Sequence, residues 1–265
     1  MSIFREDSLA GEHALITGAT GGIGKETARL LASMGADITI TGRNKEKLAA
    51  LIVELTNSRP DISIASFPCD IGNNEDREEL VHKAKKENGK VTILINSAGV
   101  LGGNVLEELT QDVMEKVMHI NYTSAVLLSQ LVYPDMKERQ KGAVINVSSL
   151  SGLRGTYGNT AYAASKFALI GFTHSFAVEA IQHGIRVNAV CPGYVDTEMG
   201  SQAIEKAGKR QHRTLPEQLQ KVNASLPSGR ITSPEEVAHT IAFLATDSAK
   251  NIVGESVKIS GGGVL

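Results

Sequence analysis

The segment "HALITGATGGIGKETARLLASMG" (residues 13–35) decides how the chain is read. Its opening "HALIT" is a short apolar run stopped by glycine, which reads as a strand. The remainder has the periodicity of an amphipathic helix. Gly18, Gly22 and Gly24 fall at the junction. Missing side chains at a strand-to-helix turn let the backbone approach a pyrophosphate at the helix N-terminus. A tight turn with close helix packing would use the same residues. Because this unit opens a series of similar units, dinucleotide binding is the reading it favours.

Outward from this unit, short β-branched runs alternate with helical stretches almost to the last residue, the pattern of a parallel sheet with crossover helices. The expected strands are 13–17, 37–41, 62–68, 91–96, 143–148, 186–190 and 256–259. The expected helices are 22–34, 45–57, 73–88, 110–137, 160–182 and 234–245. The reading is therefore α/β: a seven-stranded parallel sheet with helices on both faces. No Pro/Gly/Ser linker divides the chain, and 265 residues lie near the upper limit for one core, so residues 1–265 are expected to form a single domain. Residues 198–229 break the rhythm with polar sequence and short helical pieces at 202–207 and 216–223. They follow a strand end, where open α/β sheets bind ligands, so a substrate lid is expected there rather than a plain surface excursion.

Composition narrows the function further. At 42% hydrophobic and 21% charged the chain is ordinary for a globular protein, and no apolar run approaches the ~20 residues that span a bilayer. A net charge of −2 gives no reason to expect nucleic-acid affinity. The start lacks a secretory signal, so a cytoplasmic protein with Cys69 and Cys191 reduced is expected. The seven histidines show no metal-ligand spacing, and no metal is expected.

The glycine spacing here is Thr-Gly-x-x-x-Gly-x-Gly (Thr17–Gly24). With Asp70, "NSAG" (96–99), Asn121, Ser149, "YAASK" (162–166), "CPGYVDT" (191–197) and "GESVKISGGG" (254–263), the chain resembles the classical short-chain dehydrogenase/reductases over nearly its whole length. The resemblance implies a Rossmann fold and a nicotinamide cofactor. It places Thr17, Gly18, Thr20, Gly22, Ile23 and Gly24 at the pyrophosphate side and Asp70 and Ile71 beside the adenine. It places Asn96, Ala98 and Gly99 on the adenosine side, and Pro192, Gly193, Val195 and Thr197 at the nicotinamide amide. Asn96 could also simply hold neighbouring strands together. In "ITITGRN" (38–44), Gly42 stands where a carboxylate would bond the ribose of NAD, and Arg43 offers a donor fork suited to a phosphate. NADP(H) is expected in preference to NAD(H). Lys25, just beyond the loop, is a less suitable phosphate partner.

Tyr162 and Lys166 are four residues apart and share a helix face. A free phenol has a pKa of about 10, so bringing it to about 7 needs roughly 4 kcal/mol of differential stabilisation. Lys166 and an oxidised nicotinamide are the expected sources of that positive charge. By resemblance Tyr162 is the acid and base, Lys166 also bonds the nicotinamide ribose, Ser149 polarises the substrate oxygen, and Asn121 anchors a proton-relaying water. Ser148 is the less suitable serine by the family's spacing. A helix-kink asparagine bonding only backbone is the other reading of Asn121. Pocket walls are expected from 150–159, including Arg154 and Tyr157, with Tyr194 and Met199.

The pattern looks most like 3-oxoacyl-carrier-protein reductases, with sugar, polyol or secondary-alcohol dehydrogenases as the alternative and an NADP-binding regulator as the non-enzyme one. Lys206, Lys209, Arg210 and Arg213 could attract a substrate carried on acyl carrier protein or coenzyme A, or could simply be a solvated helix face. Members of the resembled family commonly form homotetramers, and apolar faces at "AVLLSQLV" (125–132) and "FALIGF" (167–172) fit such burial as well as internal packing.

Overall fold

The computed structural model describes residues 5–102 and 104–265. Its strands are β1 (His13–Ile16), β2 (Asp37–Gly42), β3 (Ile64–Pro68), β4 (Ile93–Asn96), β5 (Gly142–Val147), β6 (Ile185–Pro192) and β7 (Ser256–Ile259). They form one sheet in the order β3-β2-β1-β4-β5-β6-β7, and every pair is parallel. The helices are α1 (Gly22–Ser33), α2 (Lys45–Ser58), α3 (Asn74–Asn88), α4 (Gln111–Met118), α5 (Ser124–Arg139), α6 (Thr160–Ala180), α7 (Glu198–Lys209), α8 (Leu215–Ser225) and α9 (Pro234–Ala245).

Strands buried on both faces explain the unbroken apolar runs. Successive side chains point to opposite faces, so Ala14 and Ile16 enter one core while Leu15 enters the other. Ile93 and Ile95 likewise oppose Leu94. The first core is closed by α1, α2 and α9, through residues such as Leu31, Leu51 and Ile241, and the second by α3, α5 and α6, through Leu80, Leu128 and Phe176. Each fully buried Leu or Ile contributes about 1.5–3 kcal/mol. The chain order reverses between β1 and β4, and the crevice above their C-terminal ends is the expected ligand position for a doubly wound sheet. The Rossmann expectation is met.

Helix starts follow their caps. Asn44 accepts from Lys47 N at the start of α2, Asn73 from Asp76 N at α3, and Ser233 with Glu236 makes a capping box before Pro234 at α9. The α1 N-terminus differs, because its cap is Gly21 and no side chain bonds its first amides.

Three expectations are corrected. The helix expected over 110–137 is two helices joined by a π-helical turn, His119–Thr123. β6 runs beyond 186–190 because Cys191 and Pro192 still pair with Lys258 and Ile259 on β7. The pieces expected at 202–207 and 216–223 are full helices, with α7 capped by Thr197 and α8 by Thr214 and Glu217. Among the described residues no helix is long and apolar enough to cross a membrane, and no cluster of His, Cys, Asp and Glu could hold a metal.

One buried group links the fold to pH. His13 sits at the N-terminal edge of β1, with Nδ1 2.9 Å from the Gly89 carbonyl and Nε2 2.8 Å from Thr39 Oγ1. Burial depresses its pKa below 6.5, although the Gly89 carbonyl and Asp37 favour the charged form. The unfolded chain then binds the proton more readily, so stability is intact above pH 6.5 and falls as acid is added through the lowered folded value. Denaturant unfolding at about pH 7 and about pH 5 should show a smaller acid-induced loss in His13→Gln than in the wild type.

Candidate active site

The C-terminal ends of β1, β4, β5 and β6 bring together most of the residues expected from the sequence. In the glycine loop, Gly18 has φ of +65°, and a Cβ there would lie 2.8 Å from Ala98 Cα. A Cβ on Gly22 would lie 2.4 Å from Thr197 Cγ2, and one on Gly24 would lie 2.4 Å from the Gly18 carbonyl oxygen. The loop is therefore pressed against "NSAG" on one side and against the 192–197 segment on the other. With no side chain capping α1, its first amides point into this crevice. That is a cradle suited to a pyrophosphate, with Thr20 and Ile23 half-buried on its rim.

Two residues expected to face the cofactor have their side chains committed elsewhere. Thr17 is buried, and its Oγ1 accepts from Ser97 N at 3.0 Å and Ala98 N at 3.1 Å. It splices the β1 loop to the β4 loop. Asn96 donates to Asn146 Oδ1 at 2.8 Å and to Ser129 Oγ at 3.3 Å, while Asn146 donates to Thr173 Oγ1 at 2.9 Å. This polar chain ties β4 and β5 to α5 and α6, the strand-holding alternative. Val195 is also buried, bridged to Thr232, and Thr197 Oγ1 caps α7 by accepting from Gly200 N. Gly193 N donates to the Ile259 carbonyl at 2.9 Å, fixing the turn after Pro192.

At the β2 end, a Cβ on Gly42 would stand 3.0 Å from Thr20 Oγ1, so a carboxylate would need Thr20 to move. Arg43 follows, exposed, with no carboxylate partner among the described residues. Lys25 is turned away toward Glu54, 3.6 Å off. Asp70 is exposed at the β3 end beside the half-buried Ile71.

Tyr162 and Lys166 lie on α6, beside Ser149 at the end of β5. Tyr162 is half-buried, and Lys166 Nζ is 5.7 Å from its ring centroid. Lys166 is 4% exposed and donates to the Val147 carbonyl at 2.9 Å. Ser148 is occupied, donating to the Lys166 carbonyl at 3.1 Å, whereas the half-buried Ser149 hydroxyl meets the Tyr162 phenol and accepts from Ser151 N. Ser149 is thus the serine left facing the crevice.

Asn121 lies in the π-helical turn, where one extra residue per turn swings it inward. Its Oδ1 accepts from Val100 N at 2.8 Å, and its Nδ2 donates to the Val100 carbonyl and to Ser165 Oγ, both at 3.0 Å. A Cβ on Gly99 would stand 3.2 Å from Asn121 Oδ1 and 3.6 Å from Lys166 Nζ, so the absence of a side chain at Gly99 lets both groups converge. Ser165 completes the link by donating to the Tyr162 carbonyl at 2.8 Å. Ser165 and Val147 were not singled out from the sequence; their small or backbone groups carry no pattern of their own.

Electrostatics amend one expectation. Burial pushes the Tyr162 phenol above its usual value, and the bond with Ser149 pulls only partly back. Burial lowers Lys166 to about 8, with Cys191 opposing weakly. In the chain by itself, burial opposes the charged form of both groups, and Lys166 at about 8 still keeps its charge at neutral pH.

Above this centre, Tyr157 and Tyr194 are exposed, burial nonetheless raises the Tyr194 phenol with Arg154 opposing, and Met199 projects from α7. The cations on α7 and in the turn after it have partners within the chain. Lys206 bonds Asn104, Lys209 pairs with Glu205 at 2.8 Å, Arg210 donates to the Gly158 carbonyl at 3.3 Å, and Arg213 faces Gln218.

Residues 12–208 match the short chain dehydrogenase family, to which the chain belongs. It is an oxidoreductase acting on CH–OH groups or ketones, which sets aside the regulator alternative. It is 34% identical to the 3-oxoacyl-(acyl-carrier-protein) reductase FabG of Thermotoga maritima, over 97% of this chain and 99% of that protein. It is 35% identical to a monensin polyketide synthase putative ketoacyl reductase of Streptomyces virginiae, over 94% and 95%. A variant of actinorhodin polyketide ketoreductase, crystallised with NADPH, superposes with a TM-score of 0.92 at 32% identity, covering 98% of this chain and 99% of its own. Levodione reductase superposes at 0.89 and 30% identity, covering 96% and 98%.

Proposed function

We propose that this enzyme reduces the ketone of a 3-oxoacyl thioester, using NADP(H). The observation that carries the cofactor half is the β2 end, where Gly42 leaves no carboxylate to meet ribose and Arg43 stands exposed and without an acidic partner. The substrate half rests on the full-length likeness to the Thermotoga maritima reductase. The glycine cradle, the uncapped α1 amides and the Lys166 ammonium fit a dinucleotide laid across the crevice. When bound, the nicotinamide supplies the hydride, which no side chain can.

The chain's own residues do the rest. Ser149 and Tyr162 hydroxyls converge on one point, where both can hydrogen-bond a ketone oxygen. Tyr162 then releases its proton to that oxygen as negative charge develops on it. Burial keeps the phenol protonated, the form that donates in reduction, and a nearby cation is needed to stabilise the phenolate that forms. Lys166 is held by the Val147 carbonyl on the same side of Gly99 as Asn121, ready to bond a ribose hydroxyl and to refill the phenol's proton. Gly158 and Arg210 join the 154–159 loop to α7, so α7 and α8 can act as a lid whose closure excludes water. A homotetramer built on the outer faces of α4 and α6, where Met114, Phe167 and Val178 are exposed, belongs to the same reading. A monomeric mass by light scattering would count against it.

One observation favours a second reading. With Lys206, Lys209, Arg210 and Arg213 each partnered within the chain and Tyr157, Tyr194 and Met199 at the mouth, the surface also suits an uncharged ketone. Turnover of short 3-oxoacyl thioesters and of neutral cyclic ketones with NADPH separates the two: the higher kcat/KM identifies the class. Arg43→Ala should weaken NADPH about tenfold or more while leaving NADH within about twofold, as loss of a charge-assisted phosphate contact requires. Equal weakening of both cofactors would assign Arg43 no role in choosing between them.

A further inference from the structure

The loop between β3 and α3, residues 69–73, is pinned at both its amides and its carbonyls. Asp70 N donates to Asp76 Oδ2 at 2.8 Å, Gly72 N to Asp70 Oδ1 at 2.9 Å, and Asn73 N to the Asp70 carbonyl at 2.8 Å. Its carbonyls are held too. The buried Arg77 guanidinium reaches back from α3 to the Ile71 oxygen, and His119 Nε2 lies 2.6 Å from the Gly72 oxygen. A carbonyl only accepts, so His119 Nε2 carries the hydrogen. Among the described residues, the Ile71 N–H alone of the loop's amides has no partner. It is an edge left open beside the Asp70 carboxylate.

His119 belongs to a different element from this loop. It opens the π-helical turn, its own carbonyl accepts from Ser124 Oγ at 2.8 Å, and Asn121 follows two residues later. Packing repeats the connection, since a Cβ on Gly72 would lie 2.9 Å from Ile120 Cδ1 and 3.4 Å from His119 Cδ2. The turn that delivers Asn121 to Val100 and Ser165 is therefore also clamped to the loop carrying Asp70 and Ile71.

We infer that His119 is a positioning residue for the adenine end of the dinucleotide: by holding the Gly72 carbonyl it fixes the Asp70–Ile71 edge that a purine's donor and acceptor pair would meet. The inference rests on the nicotinamide-dinucleotide reading above, with the adenine placed at Asp70 and Ile71. Without the imidazole, the loop loses the one side-chain donor that holds that carbonyl among the described residues, and samples orientations that do not present the edge. The cost falls on cofactor binding, because preorganisation lost before binding must be restored during it.

The test is fluorescence titration of wild type, His119→Ala and His119→Gln with NADPH and with reduced nicotinamide mononucleotide, which lacks the adenine half. Glutamine places an amide donor near the position of Nε2. The expected result is about tenfold weaker NADPH binding in the alanine variant, recovery of most of it in the glutamine variant, and mononucleotide binding within about twofold throughout. Amide exchange over 70–73 should quicken in the alanine variant alone. Unchanged NADPH binding in His119→Ala overturns the inference, as does equal weakening of both ligands, which a general loss of structure would cause. Wild-type protein that binds both ligands equally well overturns the adenine reading and the inference together.

Discussion

Tyr162→Phe is expected to lower kcat for ketone reduction by about 10²–10⁴-fold, the range for loss of a positioned acid, with cofactor affinity within about threefold of wild type. The reasoning is geometric. The phenol is the one acidic hydrogen directed with Ser149 at a common point, and phenylalanine preserves the ring that packs 5.7 Å from Lys166 Nζ. Burial holds the phenol protonated, which is the state needed to donate. Folding should change little, since the hydroxyl's bond is to Ser149 at the crevice rather than to the core. Stopped-flow reduction together with cofactor titration checks both parts. A variant retaining near-normal kcat would move the acid role elsewhere.

The second large effect concerns Lys166→Met, which should abolish measurable turnover yet stabilise the fold at neutral pH. Lys166 is 4% exposed and its pKa falls from 10.5 to about 8. The folded chain thus binds fewer protons than the unfolded one between those values, and stability rises with pH across that window. Below about pH 8 the whole cost of burying the charge is present, about 3 kcal/mol at 1.36 kcal/mol per unit. Losing the bond to the Val147 carbonyl offsets about 1 kcal/mol of the gain. A net gain of about 1–2 kcal/mol should raise Tm by roughly 2–8 °C at pH 7. The difference from wild type should shrink as pH rises above about 8, where the wild-type lysine becomes neutral. Scanning calorimetry at several pH values measures this, and a destabilised variant at pH 7 would contradict it. Such a residue is retained for what it does, at a cost to stability.

The fold was legible because its rules are periodic. Runs such as "HALIT" and "AVINV" must be strands buried on both faces, and each precedes a capped or glycine-started element. The π-helical turn was legible only as a possible kink at Asn121, since "HINYT" contains neither proline nor glycine and an added residue in a helix leaves no compositional mark. The site divided along similar lines. The resemblance to the short-chain dehydrogenase/reductases singled out Ser149, Tyr162 and Lys166, and the fold brings them together. The sequence placed Thr17 and Asn96 on the cofactor side and left open that Asn96 holds strands together; where their side chains turn depends on partners distant in sequence, here Ser97, Asn146 and Ser129. Charge state was the least accessible property. A lysine one turn from a tyrosine suggests activation, whereas burial in the folded chain raises the phenol and lowers the amine.

The central claim is that this crevice transfers hydride from NADPH to a ketone carbon. It is tested most directly by mixing the protein with NADPH and a short 3-oxoacyl thioester, then quantifying NADPH lost and hydroxyacyl thioester formed. The expected result is one product per NADPH consumed in the wild type and none in Tyr162→Phe. Firm NADPH binding with no consumption in the presence of this thioester or of neutral ketones would contradict it.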